Sequence, residues 1–126
     1  MEPVLHIISS EDWSQAQVIG VYHPSGLDTE GFIHCSTQEQ LIATANRYYR
    51  GRSDLAVLVI DPERLVPALR WERSRDELYP HIYGPLNLDA VVALQRLVRG
   101  AGGEFTETGQ VSNECQIVEK QADDVE

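Results

Sequence analysis

Glu30-Gly31-Phe32-Ile33-His34-Cys35-Ser36 is the stretch whose reading decides the fold. Phe32 to Cys35 reads as a short strand. Ser36 or Thr37 then caps a helix running to about Arg50. Thr37 with Gln40, or Ser36 with Glu39, has capping-box spacing. Within the helix, Leu41, Ala45 and Tyr48 form one stripe and Ile42, Ala45 and Tyr49 an overlapping one, together an apolar face of globular width. Arg47 and Arg50 suit the C-terminal end of the helix dipole, and Gly51 stops the helix. A strand end that meets a helix N-terminus is a common place to bind an anion or a nucleotide. His34, Cys35, Ser36, Asn46 and Arg47 cluster around this junction in sequence.

Working outward, Val4-Leu5-His6-Ile7-Ile8 reads as a strand, with Val4, His6 and Ile8 on one face and Leu5 and Ile7 on the other. Both faces are largely apolar, which predicts a central strand. Ser9 or Ser10 caps a helix that ends at Gly20. Val21 to Thr29 reads as a loop around Pro24-Ser25-Gly26. Beyond the second helix, Leu55 to Ile60 is apolar on both faces and belongs deep in a sheet. Asp61-Pro62-Glu63-Arg64-Leu65 suits a single helical turn with Pro at its first position. Ala68 to Glu72 alternates as a strand, Arg73 to Glu77 is a charged connection, and Ala90 to Leu97 is a final strand. Tyr79 to Leu86 contains two prolines, which predicts an ordered loop or edge segment and not a central strand. The order, helices early and strands late, predicts an α+β fold: a split, mostly antiparallel β-sheet with two early helices.

The chain has 126 residues, which suits one domain with its own core. We expect that domain over residues 1–99, with residues 100–126 as an acidic tail, mobile or loosely attached, beginning at the glycine-rich Gly100-Ala101-Gly102-Gly103. Formal net charge is −10, which argues against binding duplex nucleic acid or an anionic membrane. Residues 1–103 draw every cation from Arg, the side chain suited to bidentate recognition of phosphate and carboxylate. Cys35 and Cys115 are too few for a disulfide framework. No apolar run approaches the length of a membrane span, and the N-terminus lacks a signal-peptide pattern, so a soluble cytoplasmic protein is expected.

Each polar candidate carries two readings. His34 is either a ligand contact or a His bonded to backbone or to Ser36. His6, between apolar strand neighbours, is either a site residue or a satisfied core His. His81 sits between Pro80 and Ile82 in a segment read as a loop, where function concentrates. Asn46 and Arg47 are phosphate or ribose contacts or a solvated helix face, and Tyr48 and Tyr49 belong to the core with polar tips. Glu72 beside Trp71 is a catalytic carboxylate whose pKa an apolar neighbour raises, or an outward strand residue paired with arginine. Cys35 and His34 point to opposite faces of one strand, which rules against a nucleophilic dyad. No ligand spacing supports a metal site.

Tyr22 after Gly20, Glu30 to Ser36, Ala45-Asn46-Arg47-Tyr48-Tyr49, Leu58-Val59-Ile60-Asp61, Trp71-Glu72 and Pro80-His81-Ile82-Tyr83-Gly84-Pro85-Leu86, in this order, resemble the bacterial proteins catalogued as domain of unknown function 952. The resemblance covers roughly residues 4–97. It implies a fold related to the ADP-ribosyltransferase superfamily, in which NAD lies in a cleft of a split sheet. It is also similar to the RNA 2′-phosphotransferase branch, where two histidines flank the NAD site. His6 resembles the superfamily's first-strand His and His34 its second position. Glu72 and His81 are the candidates for the third. The resemblance thus implies NAD as a substrate, in a cleft lined by His6, Tyr22, His34 and His81, with contacts from Ser36 and Arg47. Tyr83 or Tyr22 would stack on a base, and His34, His81 and Glu72 would carry catalysis of ADP-ribosyl or phosphate transfer. The alternative is a non-catalytic nucleotide- or protein-binding module on the same scaffold.

Overall fold

A computed structural model describes residues 2–110. Strand β1 (Val4–Ser9) leads into helix α1 (Ser10–Ile19), β2 (Val21–Tyr22), α2 (Ser25–Glu30), β3 (Ile33–His34) and α3 (Gln38–Tyr48). Then come β4 (Leu55–Ile60), a 3₁₀ turn (Pro62–Arg64), β5 (Ala68–Ser74), β6 (Glu77–Tyr83), β7 (Leu86–Asn87), a second 3₁₀ turn (Leu88–Ala90), β8 (Val91–Arg99) and β9 (Phe105–Gln110). The strands form a four-stranded sheet in the order β1-β4-β8-β9, a three-stranded sheet β3-β6-β5 and the pair β2-β7. Every ladder is antiparallel. The fold is therefore α+β with a split antiparallel sheet.

The helix ends follow their sequence signals. The Ser9 side chain accepts from the Asp12 amide at the start of α1. Thr37 and Gln40 form a reciprocal capping box at the start of α3. Gly31, at φ 90°, turns the chain from α2 into β3 through a backbone conformation that a side chain would disfavour.

Two apolar layers hold the sheets. Val4 and Ile8 of β1 pack with Leu58, Ile60, Ile33, Ile82 and Leu86 in the layer between the two main sheets. Leu5 and Ile7 pack on the opposite face with Val57, Val59, Phe105 and the α3 residues Leu41 and Ala45. This is the face assignment that the period-2 pattern gives. It does not make β1 central: β1 is an edge strand of its sheet, apolar on both faces because helix α3 covers one and the second sheet the other.

Four further expectations are corrected. First, residues 21–29 are not all loop, since Pro24 precedes the short helix α2 and the helices number three among the described residues. Second, Tyr79 to Tyr83 lies in β6, the central strand of its sheet. Pro80 is tolerated there because of its position. Its carbonyl accepts from the Cys35 amide at 3.1 Å, and in an antiparallel ladder a residue's N and C=O face the same neighbour. The missing N–H therefore faces the end of β3, and toward Trp71 of β5 no ladder bond is due at Pro80. The second proline, Pro85, falls beyond the strand. Third, the charged connection expected over Arg73 to Glu77 is shorter, since Arg73, Ser74 and Glu77 already belong to the β5–β6 ladder and the turn holds Arg75, at φ 60°, and Asp76. Fourth, residues 100–110 are not tail. The glycines make a hairpin turn, with Gly100 N–H donating to Glu104 O at 2.7 Å, and β9 pairs with β8. Buried Phe105 anchors β9, while exposed Glu107 gives the segment its acidic look. Residues 111–126 of the expected tail lie outside the described residues.

Candidate functional site

The two main sheets meet at one rung. Leu5 N–H donates to Ser36 O and Ser36 N–H to Leu5 O, both at 2.8 Å. Away from the rung the sheets diverge and leave a cleft of about 520 Å³. Its floor carries His6, Phe32, His34 and Ser36. Helix α3 adds Arg47 and Tyr48, and the β5–β6 hairpin adds Arg75, Tyr79 and His81. The volume lies within the usual range for small-molecule sites.

His6 sits between the sheets. Its Nδ1 lies 2.6 Å from the His34 carbonyl and its Nε2 2.8 Å from the Tyr22 hydroxyl. A carbonyl only accepts, so Nδ1 carries the proton and Nε2 accepts from Tyr22. Burial is the main cause that pushes the His6 pKa down to about 4, so the ring is neutral at pH 7. Burial likewise pushes the Tyr22 phenol up. Tyr22 is buried behind His6, and its hydroxyl is engaged, so it offers no face for a base to stack on. This overturns the stacking role expected of Tyr22.

His34 and His81 are direct cross-strand partners in β3 and β6. His34 stands out into solvent, its side chain 63% exposed, with Nε2 2.6 Å from Glu30 Oε1. His81 is nearly covered at 8% exposure. Phe32 stacks on it at 4.1 Å and 15°, and His34 meets it edge-on at 5.3 Å. The His81 Nδ1 lies 2.7 Å from Glu72 Oε1, and the Tyr83 hydroxyl donates to the same oxygen at 2.6 Å. These bonds, Tyr83 first and His81 second, hold the Glu72 carboxyl below its ordinary range. The expectation that Trp71 raises it fails because adjacent strand residues face opposite ways and Trp71 lies on the other side. Glu72 is thus a carboxylate, His81 donates Nδ1–H to it, and the Nε2 lone pair is left on a ring that lines the cleft. Glu72 does not itself line the cleft. Neither does Tyr83, whose phenol is bound to Glu72 and raised by it.

At the rim Tyr48 is 63% exposed, not a core residue. Arg75, and then Arg47, hold its phenol below the ordinary value. The Arg47 guanidinium lies 5.9 Å from the Tyr48 ring centre. Among the described residues, neither guanidinium is paired with a carboxylate. The cleft mouth of an acidic chain is therefore cationic.

The structure thus brings His6, His34, Ser36, Arg47 and His81 to one cleft, with Tyr22 and Glu72 directly behind two of the histidines and Tyr83 behind Glu72. Asn46 faces away and binds the Phe105 backbone. Cys35 is buried in the core, and burial pushes its thiol up, so it has no nucleophilic character. Sequence reasoning missed Glu30, Phe32, Tyr48 and Arg75. Only Glu30 and Phe32 left a signal, since both lie inside the stretch Glu30 to Ser36. No described helix is long and apolar enough to cross a membrane.

Three comparisons bear on kinship. No functionally curated protein matches the chain. The crystal structure of protein CC0527 from Caulobacter crescentus is similar, with 32% identity and a TM-score of 0.75 over 82% of this chain and 93% of that one. The solution NMR structure of CC0527 gives 33% identity and a TM-score of 0.72 over 82% and 91%. The model of a family described as a protein of unknown function, DUF952, matches residues 7–94, and the chain belongs to that family.

Proposed function

We propose that the cleft binds a nucleotide, with NAD the leading candidate, and that the fold is of the ADP-ribosyltransferase type. The observation that carries this reading is the pair His34 and His81 facing each other across one ladder in a split-sheet cleft, with His81 backed by Glu72. Two guanidiniums at the mouth, Arg47 and Arg75, neither paired with a carboxylate among the described residues, suit the phosphates of such a ligand. A volume of about 520 Å³ accommodates most of a dinucleotide.

The chemistry that fits is transfer at an N-glycosidic carbon. The bond to nicotinamide breaks, its electron pair leaves with the nicotinamide, and an acceptor oxygen or nitrogen bonds to the ribose carbon. His81 Nε2 would take the acceptor's proton while Glu72 steadies the resulting imidazolium. His34 would contact ribose or pyrophosphate. His6, with both ring nitrogens engaged, would shape the floor and not bond the ligand.

The test is a titration of the purified protein with NAD by NMR or calorimetry, with His34→Ala and His81→Ala in parallel. Saturable binding at roughly millimolar or tighter, about −4 kcal/mol, that is lost in folded variants supports the cleft. No binding by folded wild-type protein sinks the NAD reading. Binding without nicotinamide release on addition of acceptors favours a non-catalytic module.

A further inference from the structure

Among the described residues the outer edge of β5 is open, and its composition is self-complementary. The strand runs Ala68–Ser74 with Trp71 at its midpoint, and the β3-β6-β5 sheet ends there. Because Pro80 turns its backbone groups toward β3, its partner Trp71 turns its own N–H and C=O away from β6, to the free edge. Leu69 and Arg73 do the same by the period of two. No backbone bond to these groups exists among the described residues outside the β5–β6 ladder.

We propose that this edge pairs with the β5 edge of a second copy of the chain, antiparallel and centred on Trp71. In that register Trp71 faces Trp71 of the second copy, and Leu69 faces Arg73. All three residues then exchange the amide and carbonyl bonds that the edge leaves unmade. The intervening positions set Arg70 opposite Glu72 of the second copy, twice by symmetry, in the narrow pairs where side chains approach most closely. A shift of register by one position in either copy destroys this match, so the charges select one pairing. The other face supplies the apolar contact. Trp71 is 46% exposed and Leu78, on the neighbouring strand and the same face, 48%. Two-fold symmetry brings both patches together and makes one continuous sheet.

The pairing reaches the cleft. Glu72 is the carboxylate that orients His81, and its side chain is 37% exposed. Arg70 of the second copy would add a guanidinium to it from the edge side. The significance of that contact rests on the proposed site, whereas the dimer itself does not.

The test is the mass of the full-length chain by sedimentation velocity or light scattering across micromolar to millimolar concentrations. Wild type is expected to dimerise with rising concentration. Arg70→Glu and Glu72→Arg, each placing like charges opposite one another, are expected to be monomeric. The double variant carrying both changes is expected to dimerise again. Independently of side-chain charge, Trp71→Cys in a Cys115→Ser background is expected to form a disulfide-linked dimer on mild oxidation, since paired Cα atoms there lie at about 5.5 Å, within disulfide reach. A wild-type chain that stays monomeric overturns the proposal. So does a dimer that both single variants leave intact, or a double variant that fails to recover. A wild-type chain that dimerises but does not bind NAD would count against the cleft reading alone.

Discussion

Asn46 and Phe105 are joined by two hydrogen bonds in opposite directions. The Asn46 carboxamide donates to the Phe105 carbonyl at 2.9 Å and accepts from the Phe105 amide at 2.6 Å. The side chain of α3 thus gives the first residue of β9 the bonds that a neighbouring strand would give. Asn46→Ala would leave both backbone groups part-buried and unpaired. A loss of about 2 kcal/mol is expected in chemical denaturation. Amide exchange at Phe105 should rise more than at β4, because the outer strand loses its clamp.

The His6 ring sets an acid limit on stability. Its pKa is lowered from the ordinary 6.5 to about 4 in the folded chain, so the unfolded chain binds a proton that the folded chain refuses between those values. Stability is full above pH 6.5 and falls as pH drops toward 4, by up to about 3 kcal/mol from this group. Thermal melts from pH 7 to 4 should show that slope in wild type. His6→Gln, which can still donate to His34 O and accept from Tyr22, should show a flatter one. Equal slopes would mean that His6 titrates normally.

The Glu72–His81 bond fixes a tautomer. Imidazole nitrogen shifts should report His81 protonated at Nδ1 in the neutral ring. In Glu72→Ala the preference should weaken, because the acceptor that holds the Nδ1 proton has gone. An unchanged spectrum would remove Glu72 from the orientation of His81.

Tyr48 offers a local probe of the rim. Its phenol should titrate below the ordinary tyrosine value of 10.0. Arg75→Gln should return it upward, and an added phosphate-bearing ligand that draws off the guanidiniums should do the same. NMR of the Tyr48 ring separates it from the other tyrosines.

How far the sequence discloses this molecule depends on whether a feature is local. The capping box at Thr37 and Gln40, the two faces of β1 and the depth of β4 rest on spacing alone, and the structure has them as read. β9 was illegible because its one anchor, Phe105, stands among glycines, threonines and acids, and what secures it is Asn46, far away in sequence. β6 was misread because the rule against proline in central strands concerns the donor, and which side the donor faces is a property of the assembled sheet. The site divides the same way. His34 and His81 were visible as residue types, but their apposition depends on the β3–β6 register. Arg75 had no local signal at all, since only the hairpin turn carries it to Tyr48.

Pro80 has a last consequence, for the fidelity of assembly. Slipping β6 against its neighbours by one residue would turn every side chain over, sending His81 and Tyr79 into the core and Pro80 and Ile82 into the cleft. The same slip would turn the Pro80 nitrogen from the short end of β3 toward β5, where a carbonyl would then find no donor. The proline therefore acts as a proofreader of strand alignment: with His81 presented to the cleft, the Pro80 nitrogen faces the end of β3 and the β5–β6 ladder is left without a gap.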